Sequence, residues 1–368
     1  MVIMMLTVSV SAVTVSVVDT LRHDTVAVLP NQEVSDTLRY VPKKKWFSKV
    51  VSAIGGLLAP ERDSTYIDLL PQYNWSAEAQ ITQRFELYAL TSGDNLSVKA
   101  SPRVRTCFGP FFGWRWVFLG YNFDINSLFL NNDDTDISAS IYSPAFGLDL
   151  FHRRVGGSYY LHELKYQGID YTNLIKGKAF DGIRNGMTRV SFYYIFNHKR
   201  YSHQAAFNQT NRQIKSAGSP IAGLAYAHNR VSIDWEKLGE LIEPEYDSQE
   251  DAEGLFNWQK NDEISLIGGY AYSWVFAKNW LAAGEVMGSV GYLVNNLGKS
   301  EKPEIGGRTL SRTKNIAFNG NARIALLYNN GPWFAGTQGV FFYYRYGNGR
   351  ITNRDLLGCI YVYVGCNF

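Results

Sequence analysis

Several stretches of this sequence alternate polar and apolar side chains for longer than a globular strand normally lasts. In AEAQITQRFELYAL (77–90), Glu78, Gln80, Thr82, Arg84 and Glu86 face one way. Ala79, Ile81, Phe85 and Leu87 face the other, with Gln83 out of place. In NIAFNGNARIALLY (315–328), Asn315, Asn319, Asn321 and Arg323 oppose Ile316, Phe318, Ala322, Ile324, Leu326 and Tyr328. MTRVSFYYIF (187–196) sets Arg189 and Ser191 against Val190, Phe192, Tyr194 and Phe196. NWLAAGEVMGSVGYLV (279–294) sets Glu285 and Ser289 against Trp280, Val286, Val290 and Tyr292. A period of two is the mark of a strand. Strands of soluble domains usually span about 5–6 residues, whereas a tilted strand needs about 9–11 to cross a bilayer. Closed barrels and helices are the two structures that cross lipid without stranding backbone polar groups.

The remaining segments fit that reading. Strands are expected near 77–91, 95–108, 111–124, 136–150, 156–169, 187–197, 216–233, 262–276, 280–295, 314–328, 332–346 and 354–368. Tight turns at Phe108–Pro110, Ala277–Asn279 and Asn329–Pro332 alternate with longer polar connections near 125–135, 170–186, 234–261 and 296–313. Short turns at one end and long loops at the other are the habit of outer-membrane barrels. The expected fold is all-β: a transmembrane antiparallel β-barrel of about twelve strands. The even count returns the C-terminus to the side of the N-terminus, so both termini are expected to be periplasmic. Trp114, Trp116, Trp274, Trp280, Trp333, Tyr328 and Tyr344 lie near strand ends, where interfacial aromatics belong. A soluble β-sandwich or lipocalin-like container is the competing architecture. The strand lengths and the scarcity of proline, 11 in 368 residues, argue against it.

The last residues, LLGCIYVYVGCNF, keep strand alternation down to Phe368, which is read as a terminal signal for barrel-insertion machinery. At the other end, MVIMMLTVSVSAVTVSVVDT resembles the apolar core of a secretory signal without its basic start, so 1–12 are assigned to a signal-peptide remnant. Residues 13–63 form an N-terminal periplasmic segment, and the barrel occupies 64–368. Within that segment, KKKWFSKVVSAIGGLL places Trp46, Phe47, Val50, Val51, Ile54, Leu57 and Leu58 on one stripe of a short amphipathic helix, 46–58. That helix either docks on the protein or lies on an anionic membrane face.

The net charge of +3 and the absence of a basic stripe interleaved with aromatics exclude a nucleic-acid partner. Cys107, Cys359 and Cys366 have no metal-ligand spacing. The acidic run NNDDTD (131–136) lacks calcium-loop spacing. No metal and no cofactor are expected.

GPFFGWRWVFLGYNFDI (109–125), YYIFNHKRYSHQAAFNQTNRQIKSAGS (193–219), NWLAAGEVMGSVGYL (279–293) and NGNARIALLYNNGPWFAG (319–336) resemble a family of Bacteroidota outer-membrane barrels. That family is catalogued as domain of unknown function 4421. The KKKW helix and STYIDLLPQYNW (64–75) fit it too, so the likeness spans about residues 43–368. The resemblance implies an outer-membrane barrel without an assigned activity, and it supplies no catalytic residues.

With the polar parity facing inward, the lumen is expected to hold Glu78, Arg84, Glu86, Lys99, Arg103, Arg105, Arg189, Glu285 and Arg323. Opposite charges on neighbouring strands can close such an interior by pairing, or leave a charged constriction for small solutes. His198, Lys199, Arg200, Arg212 and Lys215, with His203 among them, gather on a periplasmic connection suited to lipid phosphates, an envelope protein or water. The expected function is a small channel or a structural, anchoring part of an envelope complex. Its expected partners are outer-membrane lipids, the insertion machinery and an envelope protein. The alternative is a lipid-modifying or lipid-hydrolysing enzyme, for which Ser191 and His228 are the one candidate pair. No G-x-S-x-G or H-E-x-x-H motif accompanies them.

Overall fold

The computed structural model describes residues 61–93, 96–114, 117–120, 123–124, 135–156, 159–242, 257–299, 308–347 and 351–368. The signal segment, the helix at 46–58, Trp116 and most of the acidic run lie outside them. The first strands are β1 (Ile67–Asp68), β2 (Trp75–Ser92), β3 (Leu96–Pro102), β4 (Arg105–Trp114), β5 (Val117–Gly120) and β6 (Phe123–Asp124). Then come β7 (Thr135–Tyr142), β8 (Phe146–Gly156), β9 (Tyr159–Tyr166), β10 (Ile169–Asp170), β11 (Ala179–Phe180) and β12 (Ile183–Ile195). The rest are β13 (Arg212–Gln213), β14 (Ala217–Ile233), β15 (Trp258–Ala277), β16 (Trp280–Lys299), β17 (Arg308–Asn329), β18 (Trp333–Gly347) and β19 (Ile351–Asn367). Among the described residues three short helices, α1 (Thr172–Ile175), α2 (His203–Phe207) and α3 (Trp235–Ile242), sit in the connections.

The sheet closes on itself, and every pairing in its wall is antiparallel. At the short-turn end the ring has twelve members: β2, β4, β5, β7, β8, β12, β14, β15, β16, β17, β18 and β19, then back to β2. The closing seam runs from Ile351 opposite Ser92 to Asn367 opposite Ser76. At the long-loop end β3 takes the place of β4 beside β2, and pairs directly with β9, from Leu96 opposite Tyr166 to Pro102 opposite Tyr159. β9 is followed by β11, which leads into β12. At that level β5 and β7 have no counterpart among the described residues, and ten described strands circle the barrel.

Two boundaries differ from the sequence expectation. The chain runs straight through Gly109–Pro110, which stand opposite Gln80 and Ala79. Pro110, without an N–H, is accommodated within β4 opposite Ala79 of β2. The segment at 156–169 is the upward continuation of β8, because the reversal comes earlier, at Ser143–Ala145, where the Ser143 N–H donates to the Phe146 carbonyl. The turns at Ala277–Asn279 and Asn329–Pro332 fall as expected, using Asn279 at φ 68° and Gly331 at φ 104° for left-handed backbone.

Exposure is inverted relative to a soluble protein. Outward Leu266, Val286 and Ile316 are 68%, 67% and 69% exposed, whereas inward Asn261, Glu263 and Glu285 are at most 1% exposed. An apolar belt of this extent needs hydrocarbon as its solvent. At the short-turn end Trp75 and Trp114 stand 6.2 Å apart, and Trp274, Phe276, Trp280 and Tyr328 follow one another at 5.4–6.2 Å. With Trp333 they form an interfacial girdle. Tyr344 does not join it: this residue points inward and is buried.

Val286 stands opposite Ala322, midway between the Trp280–Tyr328 and Tyr292–Ile316 pairs. Val286→Arg is therefore expected to lower stability by about 2–4 kcal/mol. Reversible denaturant unfolding in lipid vesicles measures this, with Val286→Leu as the near-neutral comparison.

Candidate functional site

A barrel of about eight strands is filled by its own side chains, and a larger one has room to spare. Here the extra space is occupied. Along the inward face of β2, Glu78, Gln80, Thr82, Arg84, Glu86, Tyr88 and Leu90 are all buried, from one mouth to the other. The inward faces of β15 and β16 are equally dry, from Ser273 and Leu281 near one end to Gln259 and Leu297 near the other.

The short-turn mouth is closed by two pieces of chain. Residues 61–74 cross it, with Ile67 and Leu70 buried and β1 paired to β13. The 197–216 connection folds beneath them. Ser202 caps α2 by accepting from the Ala205 N–H at 3.1 Å. Tyr201 through Gln209 are all buried, packed with Tyr142, Tyr193, Ile195, Ile221, Leu281 and Leu327. Arg62 joins the two pieces, donating to Gln204 Oε1 at 3.0 Å. The basic segment is thus a lid, not a loose solvated connection. Its cations are left on the rim: Lys199, Arg200 and Lys215 are exposed, and His198 and Arg212 half-buried. Arg200 and Lys215 lie 5.1 and 5.4 Å from the Tyr66 ring centre, and Arg212 pairs with Asp68 at 2.7 Å.

Beneath the lid lies a charged cluster. Arg323 on β17 donates to Asp149 Oδ2 on β8 at 2.6 Å and to the Tyr142 hydroxyl at 3.0 Å, and its Nε is 3.5 Å from Glu285 Oε1. The Tyr193 hydroxyl lies 3.2 Å from Asp149 Oδ2 and 3.0 Å from His203 Nε2. His203 Nδ1 is 3.3 Å from the Tyr201 hydroxyl and 3.5 Å from Glu285 Oε2. Burial, reinforced by the Arg323 guanidinium, pushes the His203 imidazole down to about 3, against a weaker opposing pull from Asp149. His203 is therefore a neutral hydrogen-bonding group at physiological pH.

Nearer the long loops, amides form a second belt. Asn295 donates to Asn261, Asn261 to Asn229, Asn229 to Asn185, and Asn185 to both Glu86 and Asp355. Asn353 donates to Gln259 and accepts from the Tyr88 hydroxyl. Glu86 also binds Arg153 at 2.8 Å. Above the belt an apolar cluster including Leu90, Leu96, Val98, Leu161, Ile233, Trp235 and Leu238 fills the long-loop mouth beneath α1 and α3.

The expected lumen charges divide accordingly. Glu78, Arg84, Glu86, Arg189, Glu285 and Arg323 are buried inside. Arg189 donates to Ser191 and Tyr344. Arg105, opposite Arg84, shares the inward side and is half-buried. Lys99 and Arg103 are corrections. The break at residues 103–104 shifts the parity, so β3 turns Leu96, Val98 and Ala100 inward and Lys99 outward, to Glu163 at 2.5 Å. Arg103 is exposed within that break. Ser191 and His228 do not meet, since Ser191 faces the interior and His228 the outer wall. Sequence reasoning missed Asp149, Tyr142, Tyr193 and the asparagine belt. Their signal was inward parity combined with hydrogen-bonding side chains. Among the described residues, no three His, Cys, Asp or Glu side chains gather to hold a metal ion. At the seam, the Phe368 carbonyl accepts from the N–H groups of Asn74 and Trp75, at 3.2 and 2.9 Å, while its ring faces outward.

Arg323→Met would leave Asp149 and Glu285 buried without their cation, and is expected to cost about 3–5 kcal/mol in vesicle-based unfolding. A loss below about 1 kcal/mol would contradict the cluster. His203 gives a pH dependence. Its folded-state value lies below the ordinary 6.5, so the unfolded chain binds more protons between the two. The stabilisation is full above about pH 6.5 and is lost as pH falls toward about 3. His203→Gln is expected to flatten that part of the stability–pH profile.

A comparison with curated proteins finds no match. Solved structures of similar architecture include the outer membrane protease OmpT from Escherichia coli, at 6% identity and TM-score 0.36, covering 80% of this chain and 97% of that one. The translocator domain of the autotransporter NalP from Neisseria meningitidis matches at 8% identity and TM-score 0.29, over 88% and 95%. The Pseudomonas putida toluene transporter TodX matches at 9% and 0.24, over 85% and 100%. At such identities and scores these likenesses carry nothing about what this chain binds or does. The family model described as Domain of unknown function (DUF4421) matches residues 61–368, and the chain belongs to that family.

Proposed function

We propose that this chain is a sealed outer-membrane barrel that serves as an anchoring component of an envelope assembly, rather than an open channel. One observation carries the reading: inward residues are dry over the full height of the wall, from Glu78 to Leu90 on β2 alone. A conducting lumen keeps its lining side chains in water. Both mouths are instead filled, by α2 with residues 61–74 at one end and by the Leu90–Trp235 cluster at the other.

The lid then supplies the working surface. Lys199, Arg200 and Lys215 form a cationic rim on a rigid, packed segment at the short-turn mouth, which in barrels of this kind faces the periplasm. Such a rim suits an acidic patch on an envelope protein. The lipid-hydrolase alternative draws no support from Ser191 and His228, which stand on opposite faces of the wall.

In planar bilayers the purified protein is expected to give no steady conductance. Reproducible ion-selective steps from the unmodified chain would overturn the sealed-barrel reading. Extraction in mild detergent is expected to bring down a stoichiometric envelope partner, lost in a K199E/R200E/K215E variant that still folds. Retention of that partner by the variant would move the docking surface elsewhere.

A further inference from the structure

The outer wall over β8, β12, β14 and β15 carries a group of side chains that neither the sealed lumen nor the lid uses. Register aligns its outward side chains in rows. Leu150, Val190, Tyr226 and Ile264 form one row of the lipid-facing band. Two residues further toward the long loops, about 7 Å along the strands, the row reads His152, Thr188, His228, Asp262. Ile137 on β7 and Val294 on β16 flank that row in register. Four hydrogen-bonding side chains therefore stand at a level where the wall on either side still turns aliphatic groups outward. Ionisable groups at membrane depth are costly, and where they occur they mark function.

The four are bonded in pairs. His152 Nδ1 lies 2.8 Å from Thr188 Oγ1. His228 Nδ1 lies 2.7 Å from Asp262 Oδ1, which also accepts from the Tyr226 hydroxyl at 2.9 Å. Thr188 and His228 are direct register partners, with Cβ atoms about 5 Å apart. The row thus holds a hydroxyl bonded to one imidazole and neighboured by a second, and a carboxylate orients the second. A hydroxyl in reach of a base, beside an imidazole fixed by an acid, is the pattern of nucleophilic acyl transfer. Gly186 follows on the same face of β12, and a Cβ there would meet only the backbone oxygens of Arg153 and Arg230, at 3.9 Å. Packing does not demand glycine at this point, and glycine inside a strand often marks the close approach of a ligand. A cleft of about 320 Å³ opens there, with His152, Thr188, Gly186 and His228 in its lining.

We propose that Thr188 is the nucleophile of an acyl-ester hydrolase site on the outer wall, acting on lipids of the leaflet at the long-loop end. His152 accepts the Thr188 proton as Oγ1 attacks the ester carbonyl. The bond from the carbonyl carbon to the alcohol oxygen breaks, the acyl group stays on Oγ1, and His152 gives the proton to the leaving alcohol. His228, donating its Nδ1–H to Asp262, keeps the Nε2 lone pair for the second step. There it takes a proton from the water that attacks the acyl-threonine, the Oγ1–acyl bond breaks, and the proton passes to Oγ1 as the fatty acid leaves. Leu150, Val190, Tyr226 and Ile264 lie one row below, so an acyl chain on the hydrocarbon band brings its ester to the level of Thr188 and its polar part to the cleft at Gly186. That arrangement favours a lipid over a soluble ester. The site is independent of the sealed lumen and of the lid.

The full chain in mixed micelles with para-nitrophenyl palmitate tests this, read by nitrophenol release and by intact mass. Hydrolysis is expected from the unmodified chain, to fall at least about a hundredfold in Thr188→Ala and in His152→Gln, and to survive in Thr188→Ser. His228→Gln is expected to gain the mass of one palmitoyl group, mapped by peptide analysis to Thr188, because deacylation stalls; a merely structural role would leave no such adduct. Soluble para-nitrophenyl acetate is expected to react at least tenfold more slowly than the palmitate. Ser101, whose hydroxyl lies 2.6 Å from His162 Nε2 on β9, is a hydroxyl–imidazole pair outside this cleft, and Ser101→Ala serves as the control that leaves turnover unchanged. No hydrolysis by the unmodified chain, full turnover by Thr188→Ala, an acyl group carried by another residue, or faster cleavage of the acetate would each overturn the proposal.

Discussion

Hydrocarbon offers no partner to a peptide N–H or C=O, and from that single constraint the rest of the molecule follows. A strand wall in lipid cannot have an edge, so β19 must return to β2, and the seam from Ile351 to Asn367 leaves none open. Closure in turn fixes which parity sees lipid. Once Val286 and Ile316 face out, Glu285 and Asn315 are committed to the interior side. Charged groups forced inward are stable only with partners, which explains why Arg323, Asp149 and Glu285 are found together, and Glu86 with Arg153.

A twelve-strand wall encloses more volume than its own side chains fill. This chain meets the excess by two different means. At the short-turn end it folds a connection back into the mouth, capped by Ser202 and packed with tyrosines. At the other end it narrows the ring and fills it with apolar residues. Between the two, asparagines donate to one another laterally, from Asn295 through Asn261 and Asn229 to Asn185, so these amide donors keep hydrogen bonds in a dry space.

The wall was legible in the sequence because lipid exposure on one side and burial on the other write a period of two, as in Glu78–Glu86 or Asn315–Tyr328. Phase was less legible. Nothing about Lys99 or Arg103 signals that a break at 103–104 reverses the faces of β3, and Pro110 reads as a turn until its place in the ladder opposite Ala79 is seen. The lid left no periodic trace at all. Its amides and single helical turn are placed by contacts with Tyr142 and Arg62, residues far away in sequence, and with Tyr193 on the preceding strand, and His203 reads as surface charge until those contacts bury it. The make-up of the outer wall was likewise hidden, since Arg154, Gly186 and Arg230 become neighbours only through strand register.

The change from twelve strands to ten along the barrel axis has a geometric outcome for the loop-end mouth. Among the described residues, the ten-strand level is built by β3 and by β9, which begins at Tyr159, beyond Gly156 at the end of β8 and well past outward-facing Leu150. With neighbouring strands about 4.8 Å apart, two fewer strands shorten the perimeter by roughly 10 Å. The stopper formed by Leu90, Leu161 and Trp235 therefore has a smaller opening to fill than the folded-back lid has at the opposite mouth.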